Sequence, residues 1–218
     1  MAETRRQREH EAVVGTVVFD YGGVLTTPVA DSVAAWLERD GIRAESYKQA
    51  MRAWMGRSAP EGTPVHRLET GELDAEAFGA LLAAELLTLD GTPVVGEGLL
   101  ERLFAGMAPE PRMLDLVREL RSRGVRTVLL SNSWGNDYPA DLDDLFDVTV
   151  ISAQVGLRKP DPRVYRLTLE RAGVSDPGTA AFVDDNAANV AAAESLGIHA
   201  IRHEDPALTR QALLGLLA

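Results

Sequence analysis

Cysteine is absent from all 218 residues. That absence excludes disulfides, thiolate zinc sites and cysteine nucleophiles together, and it fits a cytoplasmic protein. Long apolar runs are absent too. None approaches the roughly 20 residues of a membrane-spanning helix, so no membrane partner is expected. Positive charge is scarce, with 22 Lys and Arg against 33 Asp and Glu and a formal net charge of −11. Nucleic acids and anionic lipid surfaces both reward a basic face, so neither is an expected partner. An anionic substrate has to be met instead by locally placed cations or by a metal. Repeats and low-complexity tracts are missing. The opening residues, MAETRRQREHEA, are polar and mixed in sign and lack the apolar core of a signal peptide. They read as a flexible tail over 1–11.

What is present centres on VVGTVVFDYGGVLT, residues 13–26. An apolar, β-branched run of this kind suits a strand buried on both faces, and hence a parallel sheet covered by helices. The run stops on Asp20, and Gly22-Gly23 lets the backbone turn sharply and lets a ligand approach. From Thr26 to about Met107 the pattern is helix after helix. Val33, Trp36 and Leu37 mark one, and Tyr47, Met51, Trp54 and Met55 a second. A longer one runs from an Asp74 N-cap through Phe78, Leu81, Leu82, Leu86 and Leu87, and Leu99 to Phe104 make the last. The stretch PEGTPVHRLETG, with His66 and Arg67, reads as a loop. Some eighty helical residues are too many for a simple crossover. A helical unit over 26–107 inserted into a core of 12–25 and 108–218 is therefore expected. In that core, strands at Val125–Leu130, Val148–Ile151, Thr179–Val183 and Ile198–Ile201 alternate with helices, as in a doubly wound parallel α/β sheet.

A carboxylate, a hydroxyl, a cation and an acid pair each stand just past a strand or in the loop following one: Asp20, Ser131, Lys159 and Asp184-Asp185. In such a sheet the carboxyl ends of the strands share one edge, so these groups can converge. The set suits phosphoryl transfer through an aspartyl-phosphate. A carboxylate approaching a phosphate ester meets charge repulsion, so a divalent cation and positive or hydrogen-bonding groups are needed. Mg²⁺ takes oxygen ligands, and Asp20, the Gly22 carbonyl and one acid of the Asp184-Asp185 pair can supply them. Taken singly, Asp161 before Pro162 reads as a helix N-cap. Asn186 and Asn189 read as ties between the last loop and its helix, and Trp134 as packing between loop and helical insertion. The acidic run from Asp137 to Asp147 lacks the spacing of a calcium loop and reads as solvated.

With these motifs in order, TVVFDYGGVL, VLLSNS, GLRKPDPRVY and FVDDNAANV, the chain resembles the haloacid dehalogenase-like (HAD) superfamily, mostly Mg²⁺-dependent phosphatases with a Rossmann-like core. The resemblance implies Asp20 as nucleophile, with Ser131 and the Asn132 backbone on the phosphoryl oxygens. It implies that Lys159 neutralises phosphate and nucleophile, that Asp185 ligates Mg²⁺, and that Asp184 acts through water or from behind. The helices over 26–107 take the place of the family's α-helical cap. The implied substrate is a small phosphorylated metabolite. One departure stands out: most of these phosphatases carry an acid two residues after the nucleophile, and here that position is Gly22. General acid–base help is worth ~10²–10⁴-fold, so its loss opens two rivals. One is a metal-independent 2-haloacid dehalogenase, which lacks that acid but also lacks the adjacent acid pair. The other is a catalytically weak phosphometabolite-binding relative.

Overall fold

The computed structural model describes residues 13–56, 59–135, 138, 142 and 144–217. The expected tail over 1–11 lies outside the described residues, as do Asp137, Asp141 and Asp143 of the acidic run. Among the described residues there are five strands: β1 (Thr16–Phe19), β2 (Arg126–Ser131), β3 (Val148–Ile151), β4 (Ala180–Asp184) and β5 (His199–Arg202). Between β1 and β2 come α1 (Val29–Arg39), α2 (Ala44–Met55), α3 (Pro64–Glu69), α4 (Ala75–Glu85), α5 (Leu99–Phe104) and α6 (Pro111–Ser122). The later helices are α7 (Ser152–Val155), α8 (Pro162–Arg171), α9 (Ala187–Glu194) and α10 (Pro206–Leu216).

The strands form one parallel sheet in the order β3-β2-β1-β4-β5, so the first strand in the chain is the middle one. All of β1 is buried, and Val18 lies beside Val128 on one side and Phe182 on the other. Side chains alternate along a strand, which sends Val17 and Phe19 to one face of the sheet and Val18 to the opposite one. The first face packs on Met113, Leu116, Val117 and Leu120 of α6 and on Leu213 of α10. The second packs on Val164, Tyr165 and Leu169 of α8 and on Ala193 of α9. Helices on both faces explain why β1 reads as a continuous apolar run rather than an alternating one.

The helical insertion α1–α5 has an apolar cluster of its own, built from Trp36, Val65, Leu68, Phe78, Leu82, Leu99 and Leu103. Two expectations need correction here. PEGTPVHRLETG is not a loop throughout: it contains α3. Pro64 opens that helix with its φ already suitable, the Thr63 hydroxyl accepts from the His66 amide, and Val65, Leu68 and Glu69 form its buried stripe. The helix starting at the Asp74 cap ends at Glu85, before Leu86 and Leu87, and Leu81 and Leu87 are exposed. Competing backbone pairing stops it: Arg43 N–H donates to the Leu87 carbonyl and Leu89 N–H to the Gly41 carbonyl, around an antiparallel bridge of Ile42 with Thr88.

Helix α6 ends where Gly124 takes φ +81° and its N–H donates to the Arg121 carbonyl. A side chain at Gly124 or at Gly215, inside α10, would meet nothing within 4 Å. The two sites differ only in backbone conformation. Gly124→Ala should therefore cost about 1–2 kcal/mol through left-handed strain. Gly215→Ala should stabilise by up to about 1 kcal/mol through helix propensity. Urea unfolding of both variants, with unchanged m-values, checks this pair of opposite signs.

Candidate active site

The carboxyl ends of β1, β2 and β4 meet along one edge of the sheet. Asp20 directly follows β1, and its N–H donates to the Val183 carbonyl of β4 at 2.9 Å, which fixes the residue at that edge. Its Oδ1 accepts from the Tyr21 N–H at 2.7 Å. From the loop after α7, Lys159 brings its Nζ within 2.7 Å of Asp20 Oδ1 and within 2.7 Å of Asp184 Oδ2. The lysine side chain is 1% exposed and that of Asp184 0%. A buried ammonium held by two carboxylates keeps its proton: burial pulls its pKa down, but the charges of Asp20 and Asp184 outweigh that and raise it.

Asp184 is fully occupied. Its Oδ1 accepts from the Asn186 N–H and from Asn189 Nδ2, and its Oδ2 accepts from Lys159 and again from Asn189 Nδ2. Asn186 also caps α9 by accepting from the Ala188 N–H, so both asparagines tie this loop to its helix as expected. Asp185 is exposed and backed by Gly23, where a Cβ would lie 2.6 Å from Asp185 Oδ2 and φ is +75°. Only glycine leaves room for that carboxylate there.

The sequence-predicted residues on the other strand ends converge as well. Buried Ser131 ends β2, and its Oγ accepts from the Tyr138 hydroxyl at 2.9 Å. Asn132 uses its side chain to clamp Lys159: Oδ1 accepts from the Lys159 N–H at 2.8 Å, and Nδ2 donates to the Lys159 carbonyl at 3.1 Å. Asp161 caps α8 by accepting from the Arg163 N–H. Trp134 packs edge-on against Phe78 and Phe104 of the insertion, in agreement with its expected packing role.

Three contributors escaped the sequence reading. Tyr138 supports Ser131. Glu69, on α3, accepts from Trp134 Nε1 at 2.8 Å and from Arg158 Nε, while its backbone carbonyl accepts from Ser152 Oγ. Its carboxylate, 3% exposed, joins the insertion to the loop that carries Lys159. The available signal was a carboxylate sitting in the apolar stripe of Val65 and Leu68. Arg158, which precedes Lys159, completes that link.

Asp20, Asp184 and Asp185 each present an oxygen within 4.8 Å of the others. Three carboxylates against one lysine leave surplus negative charge. Burial pushes the Asp20 carboxyl up to about 7, with Lys159 pulling it down and Asp184 and Asp185 pushing it further up. Loss of solvent and the Asp184 charge also raise Asp185. A hard divalent cation relieves that crowding, and an all-oxygen donor set suits Mg²⁺. Beside Asp20 and Asp185 lies a cavity of about 460 Å³, bordered on its other side by helices of the insertion. Gly22, Ser131, Asn132, Lys159 and His66 also border it. Burial, followed by the Arg158 charge, holds the His66 imidazole below its ordinary pKa.

Mg²⁺ should raise the melting temperature, because a ligand at 100 times its Kd adds about 2.7 kcal/mol. Asp185→Asn should melt higher than wild type without metal, since it removes one of the crowded charges, and should lose most of the Mg²⁺ increment. Differential scanning fluorimetry over a Mg²⁺ titration reads both.

A family model described as haloacid dehalogenase-like hydrolase matches residues 14–197. Among curated relatives, the chain is 29% identical over 208 residues to acyl-CoA dehydrogenase family member 10 of Mus musculus, covering 92% of this chain and 19% of that protein. The chain thus spans about a fifth of that relative's length. It is also 29% identical over 200 residues to the sesquiterpene phosphatase astK of Aspergillus oryzae, covering 88% of this chain and 91% of that protein. A HAD family enzyme of Bacteroides thetaiotaomicron, solved with magnesium and inorganic phosphate, has a similar fold: TM-score 0.65, 20% identity, covering 88% of this chain and 94% of that one. Dehalogenases occur among the matches as well.

Proposed function

The chain belongs to the haloacid dehalogenase-like hydrolases, and we propose that it is a Mg²⁺-dependent phosphatase acting on a small phosphate monoester. The observation that carries this reading is the acid trio of Asp20, Asp184 and Asp185 around one buried lysine. A phosphate dianion cannot approach such a cluster unless a cation offsets the charge. Asp20, Asp185 and the Gly22 carbonyl would hold Mg²⁺, with Asp184 supporting from behind. Bound there, the ion would neutralise both the nucleophile and the incoming phosphate.

In the first step an oxygen of Asp20 attacks phosphorus in line, and the bond from phosphorus to the ester oxygen breaks. Lys159 Nζ, Ser131 Oγ and the Asn132 N–H stabilise the charge on the transferring group. The departing alkoxide takes its proton from water, because Gly22 offers none. In the second step a water attacks the phosphorus of the aspartyl-phosphate. That releases inorganic phosphate and restores the Asp20 carboxylate. The occupied state of Asp184 suits this division of labour: it holds Lys159 and has little capacity left for a direct ligand.

Gly22 favours a second reading as a dehalogenase, in which Asp20 displaces halide from carbon without metal. Asp185 speaks against it, since without a cation its charge beside Asp20 and Asp184 serves nothing there. Phosphatase relatives of nearly the same length as this chain also favour phosphate.

Asp20→Asn should reduce phosphate release from p-nitrophenyl phosphate by about 10³-fold or more, and EDTA should abolish the wild-type rate until Mg²⁺ is restored. Metal-independent chloride release from 2-chloropropionate would overturn the phosphatase reading. Gly22→Asp should raise turnover of alkyl esters by up to about 10²-fold, limited by Val29, whose Cγ2 lies 3.3 Å from the new Cβ. Steady-state rates on one alkyl ester test that gain.

A further inference from the structure

The two sides of the cavity differ in chemistry. Its sheet side carries Asp20, Ser131, Lys159 and Asp185, the groups suited to phosphate. Its insertion side, among the described residues, presents Val33, Tyr47, Met51, Met55, Leu103 and Phe104. Of these, only Leu103 is fully buried. Val33, Tyr47, Met51 and Phe104 pack one side against the insertion's own core and keep part of their apolar surface toward the cavity. Three of the five methionines in the chain, Met51, Met55 and Met107, border this one space. Methionine is flexible and polarisable, and it moulds itself to irregular apolar ligands.

The polar side chains on that side are few for a hydroxyl-rich ligand. Glu69 is taken up by Trp134 and Arg158, and Arg158 spends its Nε on Glu69; the Tyr47 hydroxyl and the His66 imidazole are the other polar side-chain groups that the insertion brings to the cavity. A sugar would bring several hydroxyls against methionine and aromatic carbon, and each one left unpaired there would cost binding. An alkyl or prenyl chain would cover the same surface and gain with every methylene removed from water.

We infer that the phosphate ester this chain hydrolyses is that of an apolar alcohol, whose hydrocarbon part lies against Val33, Tyr47, Met51, Met55 and Phe104. The inference rests on the phosphatase reading and deepens it by assigning the leaving group. The bond broken is the same: phosphorus passes from the alcohol oxygen to Asp20 and then to water, and the alcohol leaves protonated.

The test is a series of straight-chain alkyl phosphates from ethyl to decyl, assayed with Mg²⁺ beside glycerol 3-phosphate and glucose 6-phosphate. Leaving-group chemistry is nearly constant along the alkyl series, so the slope reports binding of the chain. The expected result is a rise in kcat/KM of about threefold to fourfold per methylene that levels off once the cavity is full. Glycerol 3-phosphate and glucose 6-phosphate should rank below butyl phosphate. A flat series, or a sugar phosphate ranking above octyl phosphate, overturns the inference while leaving the phosphatase reading intact.

Failure to hydrolyse even p-nitrophenyl phosphate would instead count against the phosphatase reading. Alkylphosphonate binding, followed by calorimetry, then decides the apolar site on its own: affinity rising with chain length supports it, and equal affinities refute it. Met55, which is 44% exposed, accepts a charge without harm to the fold. Met55→Glu should lower the octyl-to-ethyl ratio of kcat/KM by about tenfold, and an unchanged ratio counts against the site.

Discussion

Lys159 reaches two carboxylates from inside the protein, and most of the surrounding architecture exists to keep it there. A buried ammonium is costly unless it is paired and hydrogen-bonded. Here Asp20 and Asp184 share it at 2.7 Å each, and the Asn132 side chain pins its backbone from both sides. Asp184 in turn is held by Asn186 and Asn189, which begin the helix after β4. The three strand ends and one loop thus form a single polar network whose members each need the others. Networks of that kind fix a unique arrangement when every member is satisfied, and no buried side-chain polar atom among the described residues lacks a partner.

The network leaves one contributor outside its balance. Asp185 stands at the rim, beside a glycine that makes room for it, and burial and the Asp184 charge raise its carboxyl pKa more than Lys159 and Arg202 lower it. Of the three acids at this edge, Asp185 is the one that the Lys159 network leaves exposed.

The core was legible because its signals are local and redundant. β1 announced itself by an unbroken apolar run, and the later strands by short apolar stretches alternating with helices. Asp20, Ser131 and the Asp184-Asp185 pair were legible because they stand at strand ends, which a parallel sheet brings together, whereas Lys159 arrives from the loop after α7. The insertion was less readable. A six-residue helix such as α3 owes its existence to one cap, one proline and burial of Val65 and Leu68, and a window containing two glycines hides that. The early end of α4 depends on backbone pairing with the Gly41–Arg43 turn, some forty residues away, and no periodicity records it. Glu69 illustrates the same limit: its partners Trp134, Ser152 and Arg158 come from distant stretches, so its role appears only once the chain is folded.

The position of β1 has a consequence for how the molecule comes into being. Asp20 is carried by the first strand of the chain, yet that strand's two neighbours begin at Arg126 and Ala180. During synthesis the α1–α5 region can collapse on its own short-range contacts while the strand ahead of it waits, both edges unpaired. Pairings that span more than a hundred residues form late, and open edges invite other chains. A nascent or clipped polypeptide lacking everything after Gly173 would therefore carry Asp20 but no β4 to anchor it, and would present an open strand edge instead of an assembled cluster.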